Sequence, residues 1–346
     1  MITIKEIANR LGMSPTTVSN VIRGKTGEVS PETIARVQKF LEEVEYVPNI
    51  SARNLAQSRS KIIGVVLKTV EDRFEHILAD AFVSELLGGI EQVIREAGYF
   101  MMLYISDDIA EIIKYVTTWN ADGLVLFWMQ DDDALRIYKK YRKPVVCVDT
   151  YIKKETIEQF ENSFVNIGLE DEKGAYEAVH YLITMGHERI AFLSDKISGV
   201  DLERFRGYRR ALEEAGIEYS DKNVLQLRSG KDEIDQSFQK LAEKAERFTA
   251  VFCCSDTYAT MLVNACFARG LRVPEQLSVV GFDDSRSGKL CRPPLTTVHQ
   301  DIIEKGELAA TTLIDLLHGN SPAENEVIMP AELLIRSSVK NLKEEF

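Results

Sequence analysis

From residue 62 the chain repeats one pattern, a short apolar run followed by a helical stretch. The runs are Ile62–Leu67, Met101–Ile105, Gly123–Phe127 and Val145–Val148, then Ile190–Leu193, Val224–Leu227, Ala250–Cys253 and Ser278–Gly281. Strands alternating with helices predict an α/β architecture of parallel, doubly wound sheets. The pattern also echoes itself. Gly89–Gly98 parallels Gly207–Gly216, and Val148-Asp149 parallels Phe282-Asp283. Two similar α/β lobes explain the echo; a general likeness between helices ending in Ala-Gly is the alternative.

Ligands of open α/β sheets bind beyond the carboxyl ends of the strands. Between two lobes, those ends face one cleft. The residues there are Lys68 and Thr69, Trp128, Asp149 to Tyr151, Ser194 and Asp195, Asp256, and Asp283 with Asp284, while Arg204 lies in the helix after Asp195. Asp accepts hydroxyls, Arg donates through its fork and an aromatic ring stacks on C–H faces, a set suited to a polyhydroxylated ligand.

The first sixty residues read differently. Thr3 with Glu6 makes a capping box, and Ile4, Ile7, Ala8 and Leu11 follow at helical spacing. Gly12-Met13 breaks that helix. Ser14 caps the next, Pro15 suits its first position, and Val18, Val21 and Ile22 form its buried stripe. A third helix starts at Ser30-Pro31, with Ile34, Val37, Leu41 and Val44 facing inward, and ends before Pro48. Three short helices with a tight turn between the first two match a helix-turn-helix unit. Thr16, Thr17, Ser19 and Asn20 lie off the apolar stripe and suit either base edges and phosphates or a solvated surface. Charge divides at the same place. The chain carries a net charge of −12, yet residues 1–60 hold eight Lys/Arg against six Asp/Glu, so a slightly basic head precedes a strongly acidic body.

The run Ile4–Ala8, the stretch Ser14–Ile22, the segment Ala52-Arg53-Asn54-Leu55, then Gly186-His187, Arg204, Gly281-Phe282-Asp283 and Pro294–Val298 together resemble the LacI/GalR family of bacterial transcription regulators. The resemblance covers nearly the whole chain. It implies an all-α three-helix DNA-binding head over 1–47 and a hinge helix and linker over 48–60. A bilobed periplasmic-binding-protein-like domain over 61–346 follows, with effector and dimer contacts. Lobe 1 is expected at about 61–163 plus 292–320, and lobe 2 at about 164–291 plus 321–346. By the same resemblance Thr3, Ser14, Pro15, Thr16, Thr17, Ser19, Asn20, Ala52, Arg53 and Leu55 contact DNA, Leu55 as a minor-groove wedge. Thr69, Trp128, Thr150, Arg204, Phe252, Asp256 and Asp283 fall at effector positions. The sequence departs from the family in a longer segment at Lys68–Leu78 and lacks the usual Asp-Asn pair near Val165–Gly168.

The expected partners are a palindromic operator, a sugar, sugar phosphate or similar polar metabolite, and a second copy of the chain. The tail after Val339 is too short for tetramerising heptads. A global carbon-metabolism regulator controlled by a protein corepressor is the alternative. Enzyme motifs are missing: no Gly-x-Gly-x-x-Gly follows the first strand, and there is no Walker motif, nucleophile elbow or His-Glu-x-x-His. The five cysteines lack zinc spacing, so no metal or cofactor is expected. No apolar run approaches membrane-spanning length and no secretory signal is read at the N-terminus, so a cytoplasmic location is expected.

Overall fold

The computed structural model describes residues 2–27, 29–46, 60–69, 77–157, 159–160, 163–227, 238–239, 242–243 and 247–344. The chain divides into two units, Met1–Ser60 and Lys61–Phe346. Residues 48–59 of the expected hinge, with Ala52, Arg53 and Leu55, lie outside the described residues.

The head contains α1 (Ile4–Leu11), α2 (Pro15–Ile22) and α3 (Pro31–Glu43). Each starts where local chemistry dictates. Thr3 and Glu6 form both bonds of the capping box, and Ser14 and Ser30 accept from the N–H groups of Thr17 and Thr33. Proline follows both serines at a position where its missing N–H costs nothing. Ile7, Ala8, Val18, Val21 and Val37 close a small core, and Arg36 donates to the carbonyl of Leu11 at the end of α1.

The body runs β1 (Ile62–Lys68), α4 (Ala81–Glu96), β2 (Phe100–Ser106), α5 (Ile109–Thr118), β3 (Gly123–Phe127), α6 (Asp131–Tyr141), β4 (Val145–Val148), α7 (Lys154–Ile157) and β5 (Phe164–Leu169). It continues with α8 (Asp171–Thr184), β6 (Ile190–Ser194), α9 (Val200–Glu214), β7 (Val224–Gln226), β8 (Ala250–Cys253), α10 (Asp256–Ala268), β9 (Ser278–Asp283), α11 (Arg286–Leu290), β10 (Thr296–His299), α12 (Ile302–Leu317), β11 (Glu326–Met329) and β12 (Glu332–Leu334). Among the described residues two six-stranded sheets form, β11-β5-β4-β3-β1-β2 and β12-β10-β9-β8-β6-β7. Every pairing is parallel except β10 with β12.

The strand order is the same in both sheets, so the echo read from the sequence reflects two lobes of one topology. Its glycines have a physical task. A Cβ on Gly89 of α4 would lie 2.5 Å from the carbonyl oxygen of Ile303 on α12, and one on Gly207 of α9 would lie 2.1 Å from that of Glu172 on α8. Each lobe thus uses a glycine to bring two helices into backbone contact.

The expected lobe limits need correction. Phe164–Leu169 pairs with β4 and Glu326–Met329 pairs with β5, so both belong to the first sheet rather than the second lobe. Conversely, Thr296–His299 pairs with β9 and belongs to the second sheet. The chain therefore crosses between lobes three times: between β5 and α8, between β10 and α12, and between β11 and β12. An apolar run shows that a strand exists; long-range backbone pairing decides which sheet takes it.

Candidate functional site

In the head, the side chains expected to meet DNA divide by the work they already do. Thr3 caps α1, and Ser14 caps α2 while also bonding the Thr17 hydroxyl at 2.9 Å. Pro15 and Thr16 are exposed, and Ser19 and Asn20 are half-buried. Among the described residues, no hydrogen bond ties the side chains of Thr16, Ser19 or Asn20 to the rest of the head. Their polar atoms are available to an outside partner on one side of α2.

In the body, a cavity of about 820 Å³ lies between the lobes. Topology explains its position. Each sheet reverses direction of growth beside its first strand, β1 in one lobe and β6 in the other, and such switch points open crevices at the carboxyl ends of the strands. The cavity is lined there by Lys68 at the end of β1 and Thr69 after it, Trp128 after β3, Cys254 and Ser255 after β8, and Lys196 after β6. Asp149 and Asp283, at the ends of β4 and β9, complete the floor. Trp128, Asp149 and Asp283 hold positive φ angles of 55°, 51° and 108°. Such angles cost energy in non-glycine residues and gather where a site over-determines them.

Arg204 is the centre of the floor. Its side chain is 6% exposed, and its Nε donates to Oδ1 of Asp171 at 2.7 Å. Its Nη1 donates to the carbonyl of Cys254 and sits 3.6 Å from Oδ1 of Asp283. The guanidinium stacks on Phe282, 3.5 Å from the ring centroid. Burial opposes the charge, but Asp171, Asp283 and Asp201 outweigh it and hold the arginine protonated. From Asp283 the network continues. Gln300 donates to Asp283 at 2.7 Å, and Lys305 donates to Gln300 at 2.7 Å and to Asp149 at 2.8 Å. At the other end Tyr151 donates to the second oxygen of Asp171. The polar path leaves lobe 1 at Tyr151, passes through lobe 2 and returns to lobe 1 at Lys305 and Asp149. Burial raises the pKa of Asp149 and Asp283, against the pull of Lys305 on the first and Arg204 on the second.

An aromatic wall faces this floor. Phe82 stacks on Trp128 with centroids 6.2 Å apart, and both rings line the cavity. Across the mouth, the Thr257 hydroxyl of lobe 2 donates to Asp80 of lobe 1 at 3.0 Å.

Of the expected effector residues, Thr69, Trp128, Arg204 and Asp283 line the cavity. Thr150, Phe252 and Asp256 do not. Phe252 is fully buried in the lobe 2 core beside Phe192. Thr150 is buried, and its hydroxyl turns back toward the carbonyl of Val148. Asp256 is a structural anchor, accepting from the Thr297 hydroxyl and the Ser285 N–H, both at 2.7 Å. Burial pushes it up to about 6. Sequence reasoning missed Asp171, Lys305 and Gln300. The first two carried a readable signal, because Asp171 shares a helix face with Ala175, Ala178 and Leu182, and Lys305 one with Ile302, Ala309 and Leu313. A charge on an apolar stripe implies a buried partner. Among the described residues, no group of three or more His, Cys, Asp or Glu side chains could hold a metal ion.

Residues 3–49 match the family model for bacterial regulatory proteins of the lacI family, and residues 179–339 match a periplasmic binding protein-like domain. The probable HTH-type transcriptional repressor ExuR of Bacillus subtilis is 31% identical over 350 residues, 99% of each chain. The HTH-type transcriptional repressor PurR of Vibrio atlanticus is 31% identical over 350 residues, 99% of this chain and 100% of its own. Among solved structures, the transcriptional regulator CelR in complex with cellobiose aligns with a TM-score of 0.69 at 26% identity, over 98% of this chain and 100% of the other. The lac repressor dimer bound to operator and the anti-inducer ONPF shares the fold, with a TM-score of 0.81 at 24% identity, over 98% and 99% of the two chains. These relatives are transcription regulators, not enzymes. Aligned end to end with repressors at 31% identity, this chain belongs to the LacI family of bacterial transcription regulators.

Proposed function

We propose that the chain is a homodimeric repressor of a catabolic operon. Its heads sit in successive major grooves of a palindromic operator, and its control comes from a polar, ring-shaped metabolite held between the lobes. The observation that carries this reading is the cavity itself. It offers an aromatic wall, Phe82 with Trp128, opposite Arg204 and Asp283, the combination that grips a hydroxylated ring from its face and its edge. The cellobiose held by CelR supports the same reading.

A ligand touching both walls favours one relative setting of the lobes, and an equilibrium moves only by the difference in affinity for its two states. The three crossovers and the Tyr151-to-Lys305 network are where such a change of setting is felt. In the head, Pro15, Thr16 and Asn20 are assigned to base-reading positions, Thr17 and Ser19 to the neighbouring backbone and Arg53 to a phosphate, with Ala52 beside it in the hinge. Leu55 is assigned to the wedge at the operator centre.

The test is selection of binding sites from the source genome with purified protein, followed by release measurements with candidate metabolites. A palindrome upstream of an uptake or degradation operon, released by that operon's substrate, is the expected result. Leu55→Ala should then reduce both affinity and bending. Scattered sites that no small molecule affects would refute effector control and point to a protein corepressor.

A further inference from the structure

We propose that the cleft selects a ligand bearing a protonated amine on a hydroxylated ring, an amino sugar or its like, and rejects phosphorylated and carboxylated sugars. The inference rests on the effector reading above and adds the charge of the ligand.

The floor holds more negative than positive side chains. Asp149, Asp171, Asp201 and Asp283 are buried there with two buried cations, Arg204 and Lys305. At the rim, Asp107 and Glu111 are exposed to the cavity, and the nearby Lys68 is held by Asp133. Lys196 is exposed at the same rim. Among the described residues the lining sets six carboxylates, Asp80, Asp107, Glu111, Asp149, Asp201 and Asp283, against three cations, Lys68, Lys196 and Arg204. An incoming anion therefore meets a wall of net negative charge that water screens least at depth.

Acids also stand at the usual seats for an anion. Helices α4, α9 and α10 are among those that begin at the cavity, and a helix N-terminus is a ready phosphate site. In α4 the N-cap is Asp80, which accepts from the Val83 N–H. In α9 the N-cap is Gly199, without a side-chain cap, and the acids Asp201 and Glu203 follow in the first turn, Asp201 accepting from the Ser194 hydroxyl. The first turn of α10 carries Asp256, and its Thr257 hydroxyl donates to Asp80. Each of these three helices thus carries an acid at its N-cap or in its first turn, which offsets the positive end of its dipole. Arg204 is equally committed, with Nε and Nη1 bonded to Asp171 and Cys254 and its face covered by Phe282. Its fork is not left open for bidentate capture of a phosphate. Burial raises the pKa of Asp149 and Asp283 although Lys305 and Arg204 pull them down, so both carboxylates hold their charge at a cost that further positive charge would relieve. An ammonium group supplies that charge, and the Phe82–Trp128 wall receives a cation as readily as a sugar face.

The experiment is titration calorimetry of the full chain with ring-matched probes: glucose, glucosamine, glucose 6-phosphate and glucuronate, and the same four in the galactose series. In at least one series, the amine should bind about tenfold more tightly than the neutral sugar, and the phosphate and uronate at least about tenfold more weakly. In Asp107→Asn/Glu111→Gln, which alters only exposed positions, the gap between amine and phosphate should shrink at least about threefold. A phosphate or uronate that binds more tightly than its neutral parent overturns the inference and leaves the effector reading standing. So does an amine that binds no better than the neutral sugar. Unchanged discrimination in the double variant overturns its electrostatic cause. If no probe binds at millimolar concentration while operator binding is intact, the effector reading falls and the inference falls with it.

Discussion

Replacing Arg204 by methionine keeps most of the apolar stem and removes the guanidinium. The substitution breaks the 2.7 Å pair with Asp171, the bond to the Cys254 carbonyl and the 3.6 Å approach to Asp283. Two buried carboxylates then lose their cation, since Asp171 and Asp283 have side chains only 1% and 9% exposed. Removing one partner of a buried pair costs about 3–5 kcal/mol, chiefly through the charge left behind. The loss should show in urea unfolding followed by far-UV circular dichroism. Its pH dependence identifies the cause. Stranded carboxylates bind protons more tightly in the folded variant than in the unfolded chain, so they penalise folding more as pH rises. The penalty should be smaller near pH 5 than near pH 7.5. Adding Asp171→Asn removes one stranded charge and should restore about 1–3 kcal/mol. A variant within about 1 kcal/mol of the parent at neutral pH would refute the reasoning, as would a penalty independent of pH, because either outcome means these carboxylates do not depend on Arg204.

Gly207→Ala should cost at least about 1–3 kcal/mol in urea unfolding, because the added Cβ meets the backbone oxygen of Glu172 and one helix must move; a neutral effect would show that the contact between α8 and α9 is soft. Asp256, pushed up to about 6 by burial, keeps a proton in the folded chain that the unfolded chain releases above about pH 4. Its contribution to stability therefore falls by up to about 3 kcal/mol as pH rises through 4 to 6. Paired unfolding curves of the parent and Asp256→Asn should move relative to each other by an amount of that order, and parallel curves would refute the shift. Ser14→Ala removes the acceptor for the Thr17 N–H and should cost the head about 0.5–2 kcal/mol in a thermal melt. Asn20→Ala should instead leave the head's stability within about 0.5 kcal/mol. It should lose about 1–3 kcal/mol of operator affinity at one base position; a uniform loss across sequences would make Asn20 a phosphate contact.

The head was the most legible part of the chain because its determinants act over three or four residues. Thr3 with Glu6, and Ser14 and Ser30 each before a proline, mark helix starts within their own turn, and the caps form where the sequence places them. Apolar runs marked eight of the strands, and residues just past their ends, Thr69, Trp128 and Asp283, line the cleft because a parallel sheet presents all those ends on one side. Family resemblance located Arg204, but nothing local named its partners.

What tertiary structure decided was every pairing between distant residues. Asp149 and Lys305 lie 156 positions apart. A lone acid at a strand end and a lone lysine on an apolar helix face identify each other only when two strands and a crossover meet. The same holds for Phe164–Leu169 and Thr296–His299, which no apolar run marked in the sequence and whose sheet only backbone pairing decides. Phe252 and Asp256 flank the end of β8, where alternation and the start of α10 turn both into the core, so proximity in sequence to the cleft did not make them part of it. Local chemistry fixes where elements begin and end; the burial of charge and the choice of strand neighbours are settled by backbone pairing and packing across the whole body.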